Sequence, residues 1–216
     1  MLEFATLATF VAASAVLALA PGPDNLFVMA SSIQSGVKAG LFVTLGLCSG
    51  LIVHTLAVAF GLAAVFAASP EAFTVLKLVG AGYILYLAVQ AWRSEAETGA
   101  GNGEKSGEKT NVKHPSGWAM VRRGFVMNVT NPKVAIFFLA FLPQFADAQA
   151  GSVPLQLVTL GAVFMLVTLM VFSAIAGVSG LAGAAVLQSQ KRQITINRLA
   201  SAVFAFLALN LLLTAR

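Results

Sequence analysis

The sequence predicts an all-α, polytopic membrane protein: six transmembrane helices forming two inverted three-helix repeats, with the first and fourth helices discontinuous. Three observations predict it. Hydrophobic residues make up 58% of the 216 positions and charged residues only 10%, whereas a water-facing domain carries about 25% charged residues. Uncharged runs stretch from Glu3 to Asp24, Lys38 to Glu71 and Asp147 to Lys191, and each can supply the roughly 20 residues that a spanning helix needs. Finally, proline interrupts two apolar segments at corresponding places in the two halves.

The first span, about 4–31, contains LALAPGPDNLFVM at 17–29. Proline within a helix removes a backbone hydrogen bond, and an intramembrane carboxylate is costly unless paired. Pro21, Gly22, Pro23, Asp24 and Asn25 therefore mark a broken helix with a purpose. The second span, about 40–66, carries Gly46-x-x-x-Gly50, a signature of close helix packing either within the chain or at a homodimer seam. Cys48 reads as a small packing residue, and His54, midway along the span, is a candidate proton relay. The third span, about 72–92, ends at Trp92, an indole placed for the membrane interface.

Residues 94–121 separate the repeats 1–93 and 122–216. Their polar part, 94–117, is rich in Gly, Ser, Glu and Lys and reads as a flexible cytoplasmic loop. The fourth span, about 122–145, breaks at Asn131-Pro132, with Asn128 and Lys133 beside the break. The fifth, about 154–177, lies in a run long enough for two crossings with a turn at 176–183. Two crossings would carry Lys191 and Arg192 outside, so one crossing with an interfacial extension is expected. The sixth span covers about 197–215. Thr168 and Asn210 are secondary polar candidates in spans five and six.

The halves match in order. Pro132 follows Pro21 by 111 residues, VTLG at 158–161 follows VTLG at 43–46 by 115, and RLASAVFAFLA at 198–208 follows LVGAGYILYLA at 78–88 by 120. Because three spans separate the matching elements, the repeats are inverted, an arrangement that builds midplane solute sites from discontinuous helices. Lys133 lies about 15 Å of helical rise beyond Arg123, and Asp24 about 21 Å before Lys38. Against a hydrocarbon core of about 30 Å, both sit deep, and the two can meet across the pseudo-twofold axis. Asp24 is the candidate proton-coupling carboxylate.

Charge distribution sets orientation. Ten of the thirteen Lys and Arg residues flank the loops after spans one, three and five, which places those loops in the cytoplasm and both termini outside. The net charge of +5 thus reports membrane orientation, and no nucleic-acid partner is expected. One cysteine and two histidines give no spacing for a metal site, and no cofactor is expected.

APGPDNL (20–26), the glycine pair with its histidine (46–54), SPEAFTVLKLVGAGYILYLA (69–88) and NVTNPKVAIFFLAFLPQF (128–145) together resemble the LysE/RhtB family of bacterial amino-acid exporters. The resemblance covers nearly the whole chain apart from the 94–117 loop. It implies a six-helix protein of the bacterial inner membrane that is not an enzyme and exports amino acids or close derivatives in exchange for protons. Pro21, Gly22, Pro23 and Asp24 match the family's first motif; Asn128, Asn131, Pro132 and Lys133 match its second. Many relatives place an acidic residue near Thr168 and an arginine near Asn210. Their absence favours a neutral amino acid, homoserine or its lactone over a cationic substrate. The competing readings are a metal-ion or other small-solute efflux protein and an intramembrane lipid-modifying enzyme. For the first, Cys48 and His54 fall six apart and do not share a helix face; for the second, no nucleophile–base pairing is present.

Overall fold

The computed structural model describes residues 3–20, 22–68, 70–93, 116–182 and 190–213. Pro21 and residues 94–115, most of the polar loop, lie outside the described residues.

Proline and glycine punctuate the first apolar run. Helix α1 (Phe4–Leu19) stops before the P-G-P motif, and α2 (Pro23–Ser35) starts with Pro23 in its first turn, where a missing N–H costs nothing. The two helices are bent by 60°. Gly36 ends α2 at φ 83°, a left-handed conformation that glycine adopts freely, and α3 (Val37–Ala68) begins at the next residue. Helix α4 (Pro70–Arg93) again opens on proline.

The second half repeats this punctuation. Helix α5 (Gly117–Val129) is capped by Ser116, whose hydroxyl accepts from the Ala119 N–H at 3.2 Å. The five residues 117–121, expected in the loop, are therefore helical, because Ser116 supplies a cap ahead of them. After the break, α6 (Pro132–Ile136) continues into a π-turn over Phe137–Phe141 and a 3₁₀ turn over Leu142–Phe145. Pro143 explains the change of helix type: it has no N–H to give to Leu139, so the α-ladder cannot run through it. The bend between the halves of this pair is 52°.

Gln156 fastens the following turn. Its amide donates to the Asp147 carbonyl at 2.8 Å and accepts from the Asp147 N–H at 2.9 Å. Helix α7 (Val153–Ala182) then runs without a turn through 176–182, so the described part of the fifth run is one continuous helix. Helix α8 (Gln190–Leu213) starts seven residues earlier than the sequence suggested.

Helix α3 is central and packs against α2, α5 and α7, while α4 lies along α8. The broken helix of the first half packs on α7, the broken helix of the second packs on α3, and α3 meets α7 as α4 meets α8. Alone, α3 and α7 are long and apolar enough to cross a membrane, and each bent pair is so when taken together.

The polarity of the body is that of a membrane protein. Leu155, Met170, Phe60 and Leu166 face outward, whereas Asp24 is 2% and Lys133 8% exposed. Two apolar clusters form the interior. One gathers Phe10, Phe137, Phe138, Phe141 and Phe164 with Leu157 and Leu160; the other gathers Val28, Val43, Leu47, Met120 and Phe172.

Helices α3 and α5 touch backbone to backbone. A methyl group on Gly46 would lie 2.1 Å from the Val121 carbonyl oxygen, and one on Gly124 would lie 2.5 Å from that of Val43. Neither obstacle is a side chain that could swing aside. Gly124→Leu should therefore wedge the helices apart and cost about 1–3 kcal/mol, read as a lower melting temperature in detergent. Leucine at the lipid-facing Phe125 should leave it unchanged.

Candidate functional site

The last four carbonyls of any α-helix lack donors from their own ladder, and in a membrane interior no bulk water can serve them. At the end of α1 every one of these groups has a partner. The Val16 oxygen accepts from the Ala20 N–H at 2.8 Å. The Leu17 and Ala20 oxygens accept from the Lys133 ammonium at 3.2 and 3.0 Å. The Ala18 and Leu19 oxygens accept from the Asn25 side-chain amide at 2.8 and 3.4 Å. A residue of the second broken helix thus caps the first. The cation also meets the negative end of the α1 dipole, which favours it.

Asp24 holds the complementary position in the first turn of α2, at the positive end of that helix's dipole. Its Oδ2 accepts from Asn131 Nδ2 at 2.8 Å. Asn131 also caps α6, accepting from the Lys133 N–H at 3.0 Å. Asp24 and Lys133 face one cavity, yet each is held by other groups: the carboxylate by Asn131, the ammonium by the α1 carbonyls. Depth alone allows the two to pair directly; the structure instead splits them between these partners.

Gly22 lies flush against the ammonium; a methyl group there would come within 3.2 Å of Lys133 Nζ. Pro23 and Pro132 occupy the first helical positions of α2 and α6 and set where those helices begin. Pro21 lies outside the described residues.

The end of α5 is served in the same way. Thr130 gives its N–H and hydroxyl to the Val126 oxygen at 3.0 and 2.8 Å. The Asn128 oxygen accepts from the Asn131 N–H at 3.0 Å and meets His54 Nε2 at 3.2 Å. A carbonyl can only accept, so His54 carries its proton on Nε2 in this contact. The imidazole also lies against the Phe138 ring, with centroids 5.7 Å apart. Gly50 faces Asn128 so closely that a methyl group would lie 2.7 Å from Oδ1. Gly46 and Gly50 therefore pack within the chain, against α5.

The cavity between these elements is lined by Asp24, Asn128, Lys133 and Thr168 together with apolar side chains, among them Leu17, Leu51, Phe164 and Phe172. It has room for about one water-sized molecule. Three of its lining residues carry a buried oxygen with no hydrogen-bond partner: Asp24 Oδ1, Asn128 Oδ1 and Thr168 Oγ1. Thr168 is a secondary candidate in the sequence. Its signal was position, near the midpoint of the uncharged run between Asp147 and Lys191. The Asn210 side chain lies outside the described residues. Cys48 turns its thiol toward the Met165 carbonyl on α7, and His54 turns to α5, so these two soft ligands have different neighbours.

Broken helices that cap one another around buried charges, inside a helical body with an apolar exterior, define a membrane transport protein. Residues 15–215 match the family model described as LysE type translocator, and the chain belongs to that family. An uncharacterized membrane protein of Vibrio cholerae is 34% identical over 147 residues, covering 68% of this chain and 67% of its own. The homoserine/homoserine lactone efflux protein of Salmonella typhimurium is 31% identical over 160 residues, 74% of this chain and 73% of its own. A Bacillus subtilis membrane protein is 28% identical over 169 residues, 77% of this chain and 80% of its own. No solved structure matches the chain significantly.

Lys133→Met should leave the Leu17 and Ala20 carbonyls without donors and Asp24 without its compensating charge. A loss of about 3–5 kcal/mol is expected, measured by thermal unfolding in detergent. Adding Asp24→Asn to that variant should recover part of the loss, a coupling that a double-mutant cycle reads directly.

Proposed function

We propose that the protein is a secondary transporter that exports amino acids or close derivatives with uncharged side chains across the bacterial inner membrane, driven by the proton gradient. The observation that carries this reading is the pair of broken helices whose ends meet at Asp24, Asn131 and Lys133 beside one small cavity. The efflux activity in the name of the Salmonella relative gives it support. So does the lining beyond the polar cluster, which is apolar at Leu17, Leu51, Phe164 and Phe172 and suits an uncharged side chain.

In this reading α1/α2, α3 and α4 form one repeat, and α5/α6, α7 and α8 form its inverted partner. Six spans result, with the termini outside and the 94–117 loop in the cytoplasm. The cavity is too small for an amino acid, so the structure corresponds to a closed state. Alternating access then requires the two broken helices to part on one side of the membrane at a time. Asp24 couples the cycle: its carboxylate takes either a proton or the ammonium group of a solute, and exchanging the two across the membrane is antiport. His54, bonded to the α5 end beside Asn128, belongs to the proton pathway.

Efflux should be measured in a strain lacking its own amino-acid exporters and fed homoserine and threonine dipeptides. Expression should lower the intracellular pools several-fold, and a protonophore should abolish the effect. Asp24→Asn should abolish it as well, at unchanged membrane abundance. Full proton-driven efflux by that variant would remove Asp24 from the coupling role.

A further inference from the structure

We propose that Asp24, Asn128 and Thr168 form a receptor for a primary ammonium group, so that the site takes its solute by the amine end and does not require a free carboxylate. The inference rests on the exporter reading and narrows it to a recognition chemistry.

Three oxygens carry the argument. Asp24 Oδ1, Asn128 Oδ1 and Thr168 Oγ1 are buried and without a hydrogen-bond partner, in residues only 2%, 1% and 3% exposed. Buried polar atoms in folded proteins are almost always satisfied, so three orphans on residues that line one cavity point to a missing partner. Carboxylate and amide oxygens only accept hydrogen bonds, and a hydroxyl accepts as well. The missing partner is therefore a donor. The cavity has room for about one water-sized group, and a primary ammonium is such a group, with three N–H bonds to give.

The oxygens are also held in place for this role. Asp24 commits Oδ2 to Asn131, which leaves Oδ1 for a ligand. The Asn128 amide rests against Gly50, and its backbone oxygen is held by Asn131 and His54. Lys133, the cation lining the cavity, is a poor receptor for a carboxylate. Two of its three N–H bonds already go to Leu17 and Ala20, so a carboxylate could receive one at most. The Lys133 ammonium is turned to the α1 carbonyls, which leaves Asp24 Oδ1 open to a donor. Because only the amine end is read, an amino acid and its lactone or ester present the same group to the protein.

The test uses the full-length protein in liposomes loaded with homoserine, following exchange of labelled homoserine against unlabelled competitors. Homoserine lactone should compete within about fivefold of homoserine, since it keeps the ammonium. N-acetylhomoserine and 2,4-dihydroxybutyrate should compete at least 50-fold less well, because charge-assisted hydrogen bonds are lost. Equal competition by N-acetylhomoserine, or failure of the lactone, overturns the proposal. Thr168→Val should weaken both homoserine and its lactone about tenfold, with Thr168→Ser restoring them. Since the Thr168 hydroxyl has no partner in the empty protein, the valine variant should melt no lower than wild type. A lower melting temperature with unchanged affinity would instead mark a structural threonine and overturn its part in the receptor. Stabilisation against heat by homoserine and its lactone separates the two readings. Stabilisation without exchange defeats the exporter and keeps the receptor; neither stabilisation nor exchange defeats both.

Discussion

Every feature of the centre depends on one obligation: backbone carbonyls released by a helix break inside a membrane must find donors within the protein. The P-G-P motif ends α1 in the interior, and four carbonyls lose their ladder partners there. The chain answers with Lys133 and Asn25, one from across the molecule and one from six residues on. The Lys133 contact fixes how the two halves face one another. It also explains why a lysine occupies the first turn of α6, where its own helix dipole disfavours a cation. The ammonium leaves that unfavourable end and reaches a favourable one.

Around this centre the halves are brought together by the absence of side chains. Gly46 and Gly124 let α3 and α5 approach until backbone meets backbone, and Gly50 lets the Asn128 amide lie against α3. Without a water-driven hydrophobic effect between helices, such close contacts supply the dispersion energy that holds a membrane bundle together. Larger residues fill the space on either side. The cluster around Phe10 and Phe138 contributes Leu17, Leu51, Val134 and Phe164 to the cavity lining, and the cluster around Val28 and Leu47 contributes Ala18 and Phe172. The polar atoms thus lie beside apolar side chains, which strengthens each electrostatic contact among them.

Much of this was legible in the sequence, for identifiable reasons. The shortage of charge announced a membrane protein, and the prolines located both breaks, because each rests on a local property of the residue itself. Asp24, Asn131 and Lys133 stood out as polar groups at depth. The true partner of Lys133 did not: a backbone carbonyl has no letter in the sequence, so the ammonium seemed to belong to the nearest carboxylate. The π-turn at Phe137–Phe141 was similarly hidden. Pro143 announced some disturbance, but its form depends on how the phenylalanines pack. Thr168 stood out only by its depth and by the acidic residue that relatives place near it. Its importance comes from what it lacks, a hydrogen-bond partner, and that is visible only in three dimensions.

Gly36 gives the cluster its mechanical setting. One residue separates α2 from α3, so α2 is a rod of 13 residues hinged at its far end from the charged groups. Such a rod is about 20 Å long, and a swing of about 10° at the hinge carries its tip by about 3 Å. That displacement matches the diameter of a water molecule. A small rotation at Gly36 is thereby magnified where Asp24 sits, without any helix unwinding.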